Sequence, residues 1–267
     1  MRLQGRVALV VGAGQSPGET MGNGRATSLL FAREGAMVIA VDRDAVSAEE
    51  TVAMIHGEGG QAMAVEADVK VEESLKVAVD KCLRQHGGID ILHNNVGISL
   101  AGGDAEITEI TVEAFDHCVA VNLRGMVLAC KHVLPSMRER GKGVITNISS
   151  LAAWSAYPLV AYKTTKSAVI ALTEQLAIQN AKFGIRANVI LPGLMDTPMA
   201  VDTRVRVLGK SREQIAADRG AKVPLGRKMG TGWDVAHAAL FLASDDAGFI
   251  TGAALPVDGG TSVSLGI

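Results

Sequence analysis

The sequence predicts an α/β fold in which a parallel sheet carries helices on both of its faces. Short β-branched runs alternate with longer amphipathic segments along the whole chain, an alternation typical of strands joined by crossover helices. Apolar residues make up 48% of the 267 residues and aromatic residues 3%, so aliphatic side chains are numerous enough to fill a buried core. Because no internal repeat or linker divides the chain, we expect one domain over residues 1–267.

Seven strand candidates follow from short apolar runs bounded by turn-forming residues. They are Val7–Val11, Met37–Val41, Ala62–Glu66, Ile89–His93, Gly143–Ile148, Ile185–Ile190 and Ala254–Val257. Since parallel crossovers are right-handed, strands in this order wind into a doubly wound sheet. Its ligand crevice is expected at the carboxyl ends of the strands.

Six helices are long enough to cross over such a sheet. They are expected near Gly24–Glu34, Ala45–His56, Glu72–His86, Thr111–Arg140, Val160–Lys182 and Trp233–Ala243. The remaining long stretch, residues 194–231, lacks a clear strand and contains Pro198, Pro224 and Gly226. Because long insertions in compact domains are often functional, it is predicted to be a partly helical lid over the crevice; the alternative is a surface elaboration without a role.

Composition and charge weigh against several classes of function. The formal net charge is −2 and no block of like charges is present, so nucleic acid is not an expected partner. The apolar run Val7–Val11 is too short to span a bilayer, and no export signal is visible. Cys82, Cys118 and Cys130 form no disulfide or zinc pattern, and the six histidines lack metal-ligand spacing. We therefore expect a cytoplasmic protein that contacts no membrane and uses no catalytic metal.

A glycine-rich turn links the first strand to the first helix. It runs from Gly12 through Gly22 to Gly24, after which Arg25 opens an apolar helical pattern. Glycines permit positive φ and a close backbone approach, and a helix N-terminus offers free N–H groups to a phosphate. The turn therefore predicts a pyrophosphate site, although a plain flexible turn has a similar composition.

Acidic residues follow the second and third strands. Asp42 follows Val38–Val41, where a carboxylate can accept both hydroxyls of an adenosine ribose and would repel a 2′-phosphate. This favours NAD over NADP, while the adjacent Arg43 could offset part of the repulsion. Asp68, followed by Val69, is a candidate partner of the adenine amine or, alternatively, the N-cap of the next helix.

Side chains suited to acid–base chemistry follow the fifth strand. Ser149 and Ser150 end that strand, and Tyr162 and Lys166 come next in a helical pattern. Their spacing of four places Tyr162 and Lys166 on one helix face. There an ammonium can lower the pKa of a phenol from about 10, so that it exchanges protons near neutrality. An exposed helical pair without a catalytic role is the alternative.

Together these motifs resemble the short-chain dehydrogenase/reductase family over essentially the whole chain. The resemblance rests on the Gly12–Gly24 turn, Asp42, Asn94–Gly97, Asn122, Ser150, Tyr162, Lys166 and Pro192–Gly193. It implies a single Rossmann-like domain, with a seven-stranded sheet, that binds a nicotinamide cofactor.

The resemblance also implies roles for individual residues. The catalytic set would be Asn122, Ser150, Tyr162 and Lys166. Ser150 would hold the substrate oxygen while Tyr162 exchanges the proton. Lys166 would hydrogen-bond the nicotinamide ribose, and Asn122 would hold a water of a proton relay. The cofactor-binding set would be Gly12, Gly22, Gly24, Asp42, Asp68, Val69, Asn95, Gly97, Tyr162, Lys166, Pro192, Gly193 and Thr197.

The glycine turn departs from the family pattern. Gly12 and Gly22 are ten residues apart, more than is usual, so the loop between them is enlarged. Gly14 and Gly18 restore the usual spacing, but Thr20 would then replace the third glycine. Gly12, Gly22 and Gly24 are preferred, because the helix opens directly after Gly24 as it does in the family. A second departure is the interval of twelve residues between Ser150 and Tyr162, which is shorter than is usual in the family. Ser149 therefore remains an alternative to Ser150.

The predicted function is hydride transfer between NAD(H) and a secondary alcohol or ketone. Candidate walls of an apolar substrate pocket are Val96, Ile98, Leu151, Ala152, Trp154, Tyr157, Leu194, Met195 and Met199. An NADPH-dependent carbonyl or 3-oxoacyl thioester reductase is the alternative enzyme, and Asp42 weighs against it. A non-catalytic nucleotide sensor is the alternative class, and the retained Tyr162 and Lys166 weigh against it.

Two features remain outside the catalytic prediction. Residues 194–231 carry eight basic against four acidic side chains; we interpret this excess as a solvated lid face, with an anionic substrate as the alternative. The segment Trp233–Ala243 and the closing strand resemble the family's subunit contacts, which predicts a homotetramer.

Overall fold

Strands and helices alternate along the chain. The computed structural model describes residues 1–264. Within them the strands are β1 Val7–Val11, β2 Met37–Asp42, β3 Gln61–Glu66, β4 Ile91–Asn94, β5 Gly143–Ile148, β6 Ile185–Pro192, β7 Met195–Asp196, β8 Gly230–Thr231 and β9 Ala254–Val257. The α-helices are α1 Asn23–Arg33, α2 Ala45–Gly57, α3 Glu72–His86, α4 Val112–Val119, α5 Gly125–Arg140, α6 Val160–Asn180, α7 Asp202–Leu208, α8 Arg212–Gly220 and α9 Gly232–Ala243.

In the described part of the chain, seven strands form one parallel sheet in the order β3-β2-β1-β4-β5-β6-β9. The chain leaves the sheet's first half after β3 and returns beside β1 with β4, which creates a switch point where a crevice opens at the carboxyl ends. The predicted fold class is confirmed, and each predicted strand is present within a few residues. The largest shifts are of two residues: β4 begins at Ile91 rather than Ile89, and β6 ends at Pro192 rather than Ile190.

Two apolar cores lie on opposite faces of this sheet. Successive side chains of a strand point to opposite faces, so Val10 and Val38 join the core under α1 and α9, whereas Leu9 and Ile39 join the core under α3 and α5. Because helices cover both faces of the sheet, the strands are almost continuously apolar and do not alternate between apolar and polar residues.

The segment predicted as one helix over Thr111–Arg140 contains an irregular turn. Thr111 caps α4 by accepting a hydrogen bond from Ala114 N at 3.1 Å, and a π-helical turn, Ala120–Arg124, separates α4 from α5. The combined helix is long and apolar enough to cross a membrane by length and composition. Many of its apolar side chains, among them Met126 and Val133, are instead buried inside the protein, so we assign it to the core.

Residues 194–231, called the lid segment below, contain α7 and α8 and are therefore partly helical as predicted. They also contain two short strands that the sequence did not indicate, because β7 pairs with β8 through Met195↔Gly230 and Asp196↔Thr231. This pairing joins the two ends of the segment, so the intervening helices are held close to the crevice.

Candidate active site

A cleft of about 340 Å³ opens at the carboxyl ends of the central strands. Every residue predicted to bind the cofactor lines it: Gly12, Gly22, Gly24, Asp42, Asp68, Val69, Asn95, Gly97, Tyr162, Lys166, Pro192, Gly193 and Thr197. Ser150 lines it too, whereas Asn122 does not. The structure thus brings the predicted nucleotide-binding and chemical residues into one cavity.

The glycine turn is built from two positions that exclude a side chain. Gly12 has a φ of +88°, and a Cβ on Gly24 would lie 1.9 Å from the carbonyl oxygen of Gly12. The Asn95 amide donates to that same carbonyl at 3.0 Å. Gly22 is the N-cap of α1, so the turn delivers the backbone directly to a helix N-terminus. These contacts support the choice of Gly12, Gly22 and Gly24 over the alternative spacing.

The enlarged loop between Gly12 and Gly22 closes on itself. The Gln15 side chain accepts from Gly22 N at 2.9 Å and donates to the Thr20 carbonyl at 3.3 Å. Two inserted residues, Ser16 and Pro17, line the cleft. Sequence reasoning missed both, although the extra length between the glycines was the signal that could have indicated them.

The same loop is tied to the lid segment. The Arg212 guanidinium lies 3.6 Å from a carboxylate oxygen of Glu19 on the loop. It also lies 2.5 Å from Asp196 and 3.4 Å from Asp202, both on the lid segment. A Cβ on Gly18 would lie 2.4 Å from an Asp202 carboxylate oxygen, so loop and lid are packed in direct contact. Loop and lid therefore form one wall of the cleft.

Asp42 is held at the end of β2 by backbone groups. Its two carboxylate oxygens accept from Gly14 N at 3.0 Å and from Asp44 N at 3.1 Å. Arg43 beside it is exposed and lines the cleft. Asp68 also lines the cleft; its carboxylate accepts from Lys70 N at 2.9 Å, and the N-cap of α3 is a different residue, so the capping alternative is wrong.

The two serines after β5 have different surroundings. Ser149 is 2% exposed, and its hydroxyl donates to the Lys166 carbonyl at 2.6 Å, which fixes α6 against the strand. Ser150 lines the cleft with Tyr162; its hydroxyl accepts from Ala152 N at 3.1 Å and acts on the Tyr162 phenol by lowering its pKa. The geometry therefore favours Ser150 as the serine that can touch a substrate.

Tyr162 and Lys166 lie on one face of α6 as expected. The Lys166 ammonium donates to the Ile148 carbonyl at 2.8 Å and lies 5.8 Å from the centre of the Tyr162 ring. Lys166 is 2% exposed, and burial lowers its pKa to about 7. Tyr162 also packs against Tyr157, with ring centres 5.5 Å apart.

The pKa of Tyr162 moves in the direction opposite to the expected one. Burial raises it to about 12, because the anionic phenolate loses solvation; the hydrogen bond with Ser150 offsets only part of this rise. The spacing of Tyr162 and Lys166 indicated a shared helix face correctly, but it carried no information about how deeply that face is buried. Without a ligand, Tyr162 is therefore a protonated phenol at neutral pH.

Asn122 lies beside the cleft in the π turn. Its amide accepts from Ile98 N at 2.7 Å and donates to the Ile98 carbonyl at 2.9 Å and to the Thr165 hydroxyl at 3.2 Å. Both amide hydrogens are therefore engaged by protein atoms. A Cβ on Gly97 would lie 3.0 Å from the Lys166 ammonium and 3.7 Å from the Asn122 amide oxygen. Asn122 therefore fixes the backbone that follows β4 at the point where it passes the lysine.

The predicted pocket walls are only partly assembled. Val96, Ile98, Met195 and Met199 line the cleft, whereas Leu151, Ala152, Trp154, Tyr157 and Leu194 do not. Residues 1–264 hold no cluster of three or more His, Cys, Asp or Glu side chains that could bind a metal; that the reaction needs none stays a prediction.

Comparison with known proteins agrees with this geometry. A family model described as enoyl-(acyl carrier protein) reductase matches residues 18–262. The crystal structure of a short-chain dehydrogenase/reductase from Burkholderia xenovorans matches with a TM-score of 0.92 at 40% identity and covers 98% of each chain. This chain belongs to the short-chain dehydrogenase/reductase family. The predicted family and its Rossmann-like fold are therefore confirmed.

Two further similar proteins have named activities. The 2-(R)-hydroxypropyl-CoM dehydrogenase of Xanthobacter autotrophicus is 40% identical over 258 residues, which cover 95% of this chain and 97% of the relative. Levodione reductase has a TM-score of 0.92 at 30% identity and covers 98% of this chain and 100% of its own. The chain is thus an oxidoreductase of a family that uses nicotinamide cofactors.

Proposed function

We propose that this short-chain dehydrogenase/reductase transfers a hydride between NAD(H) and a secondary alcohol or ketone, with Tyr162 as the general acid and base. The observation that carries the proposal is the position of Tyr162, Ser150 and Lys166 in the same cleft as the glycine turn and Asp42. Such an arrangement joins a dinucleotide site to a group that can exchange a proton.

The nucleotide side of the cleft fits a dinucleotide. Gly12 and Gly24 leave a cradle that any Cβ would fill, and the start of α1 favours a phosphate there. Asp42 is positioned by Gly14 and Asp44 to accept the hydroxyls of an unphosphorylated ribose. When bound, NAD supplies the carbon that accepts the hydride.

The chemical side positions and moves the proton. Ser150 holds the substrate oxygen next to the Tyr162 hydroxyl. In ketone reduction, the protonated Tyr162 donates its proton to the oxygen that gains negative charge; in alcohol oxidation, its phenolate accepts the hydroxyl proton. A pKa raised to about 12 keeps the phenol protonated at neutral pH, which is the form that the reductive direction needs. Lys166 would hydrogen-bond the nicotinamide ribose, and Asn122 positions the Gly97 backbone against that lysine.

The experiment that tests the proposal has two steps. Calorimetry with NAD(H) and NADP(H) gives the cofactor preference, and absorbance of the reduced nicotinamide then follows a panel of secondary alcohols and ketones. Tight NAD(H) binding with turnover of a panel member is the expected result. Binding of NAD(H) without any redox turnover of the panel would favour a nucleotide sensor, and failure to bind either cofactor would contradict the proposal altogether.

One observation favours a second candidate, an NADPH-dependent carbonyl or 3-oxoacyl thioester reductase. Arg43 is exposed at the cleft edge next to Asp42, where a guanidinium could bind a 2′-phosphate. Calorimetry separates the two candidates, since NADPH binding tighter than NADH binding would favour the second.

We also propose that the enzyme is a cytoplasmic homotetramer. In support, all three cysteines are free and buried, as suits a reducing compartment. Phe249 is fully exposed near the C-terminal end of α9, and Phe241 on that helix is 36% exposed; such apolar surface is typical of subunit contacts. Sedimentation equilibrium measures the mass, and a monomer at micromolar concentration would contradict the assembly.

A further inference from the structure

The arginines of the lid segment differ in their partners. Arg212 lies within ion-pair distance of three carboxylates, those of Asp196 at 2.5 Å, Asp202 at 3.4 Å and Glu19 at 3.6 Å. Its positive charge is therefore satisfied by the protein, and its role is to join the enlarged loop to the lid segment.

Two other arginines have no such partner. Among residues 1–264, neither Arg204 nor Arg219 lies close enough to a carboxylate to form an ion pair. The acidic groups of the lid segment are engaged elsewhere or face solvent: Arg212 holds two of them, Lys210 lies 3.8 Å from Asp218, and Glu213 is exposed. Within the described residues, Arg204 and Arg219 therefore supply positive charge that no ion pair neutralises, and Asp196 acts on Arg219 only from beyond ion-pair distance.

Both guanidinium groups hydrogen-bond backbone carbonyls of residues that line the cleft, although neither arginine lines it itself. Arg204 donates to the Ala200 carbonyl at 2.6 Å, and Arg219 donates to the Met195 carbonyl at 3.5 Å and to the Met229 sulfur at 3.4 Å. Ala200 and Met195 both line the cleft. Neither arginine is solvent-exposed in the way that Lys222 and Arg227 are, so the interpretation of the whole basic excess as a solvated face does not hold for these two.

The two charges also act on each other and on the reacting phenol. Burial, and then the charge of Arg204, lower the pKa of Arg219 to about 10. Both guanidinium groups act on Tyr162, whose pKa they lower against the larger effect of burial. Like charges brought together in a partly buried place are unfavourable unless an anion joins them.

We propose that Arg204 and Arg219 form an anion-binding subsite, and that the physiological alcohol or ketone carries a carboxylate or sulfonate close to its reacting carbon. The planar guanidinium fork matches the oxygens of both groups. Because the subsite adjoins Tyr162, an anion bound there would place the rest of the substrate towards Ser150. The inference rests on the proposed function, since it names the substrate class of that site.

Binding of simple anions tests the subsite without turnover. Calorimetry on the NADH-saturated enzyme compares hexanoate and butanesulfonate with neutral hexanol. The anions are expected to bind about tenfold or more tightly than hexanol, and Arg204→Gln or Arg219→Gln should weaken them about ten- to hundredfold, as expected for a charge-assisted hydrogen bond. Arg219→Lys should restore part of the loss, and exposed Lys222→Gln is the matched control. Equal affinity of wild type and both Gln variants for the two anions would overturn the subsite.

Kinetics separates failure of the subsite from failure of the proposed function. The substrates are matched pairs, 4-hydroxypentanoate with 2-pentanol and 5-hydroxyhexanoate with 2-hexanol. We expect a higher kcat/KM for an anionic member, and Arg219→Gln should lower kcat/KM more for the anionic member than for its neutral partner, so that the preference is lost. Oxidation of neutral alcohols without an anionic preference would contradict the subsite alone. Anion binding that depends on both arginines, without oxidation of any alcohol, would contradict the proposed function and leave the subsite supported.

Discussion

The two ends of the cleft are built in different ways. At the nucleotide end, shape comes from glycines that leave no room for a Cβ and from the Arg212–Glu19 ion pair that joins the Gly12–Gly22 loop to the lid segment. At the chemical end, burial shifts the pKa values of Tyr162 and Lys166 in opposite directions. Changes at the nucleotide end should therefore mainly affect cofactor binding, and changes at the chemical end should mainly affect turnover.

The largest expected effect is that of Tyr162→Phe at the chemical end. Removal of the hydroxyl removes the proton donor but keeps the ring contact with Tyr157, so kcat should fall by at least about 10³-fold. The calorimetric affinity for NADH should stay within about twofold of wild type, because a change at the chemical end is expected to leave cofactor binding intact. Exposed Thr164→Ala on the same helix is the control. Near-normal kcat in the Phe variant would show that another group exchanges the proton.

At the nucleotide end, Gly24→Ala should have the next largest effect. Its Cβ would lie 1.9 Å from the Gly12 carbonyl oxygen, so the turn must shift where a phosphate is expected to bind. We expect NADH affinity to fall more than tenfold and the protein to lose about 1–3 kcal/mol of unfolding free energy. Gly57→Ala is a matched control, because nothing lies within 4 Å of its added Cβ. Unchanged NADH affinity in a folded Gly24→Ala protein would be incompatible with this turn as the pyrophosphate site.

Much of this architecture could be predicted from the sequence, and the reasons are local. The strands are β-branched runs between turn residues, and the cofactor-binding candidates follow these strands, so correct strand assignment placed them in one cleft. The π turn at Asn122 was not predictable, because one inserted residue hardly changes the apolar pattern over Thr111–Arg140. It depends on hydrogen bonds to Ile98 and Thr165, which are distant in sequence.

Features that depend on tertiary contacts were missed for the same reason. Glu19 and Arg212 meet across most of the chain length, and nothing in either segment predicts the other. The direction of the Tyr162 pKa shift depends on burial, which a spacing of four residues does not report. Arg204 was counted with the exposed lid residues because the sequence contains no sign of which basic side chains face the cleft.

Asp42→Ala should change which cofactor binds at the nucleotide end. The variant loses the acceptor for the ribose hydroxyls and the negative charge that repels a 2′-phosphate, so NADH affinity should fall about tenfold and NADPH affinity should rise. Glu66→Ala, at the exposed end of the neighbouring strand, is a suitable control for removal of an acidic group. If NADPH bound more weakly as well, Asp42 would be a structural residue of the turn and not a selector of the cofactor.

Arg212→Gln should loosen the contact between loop and lid. Its ion pair with Glu19 is the one that joins loop and lid, and that carboxylate is 76% exposed, so the pair contributes about 1 kcal/mol or less. NADH affinity should fall about threefold to tenfold, with a smaller change in kcat. Arg33→Gln breaks a comparable pair with Glu58 away from the cleft and should leave NADH affinity unchanged. A fall in kcat without a change in NADH affinity would show that the lid serves the chemical end instead.

The last expected effect concerns stability, and it isolates the buried lysine. The pKa of Lys166 is about 7 in the folded protein, against 10.5 for an ordinary solvated lysine, so between these values the unfolded state binds more protons. The free energy of unfolding must therefore rise with pH in that window, by up to about 1.4 kcal/mol per pH unit.

The useful range for this measurement is from about pH 7 to pH 8.5. His93, whose pKa burial lowers from 6.5 to about 3, contributes its own rise only below that range. The buried thiol of Cys82, with a pKa raised from 9.0 to about 12, reduces stability only above it. Urea unfolding of wild type and Lys166→Met should then diverge, with a positive slope for wild type and a nearly flat line for the variant. Parallel curves would mean that Lys166 keeps its proton in the folded protein at neutral pH, stabilised by the Ile148 carbonyl. Burial would then matter less at the chemical end of the cleft than steric fit does at the nucleotide end.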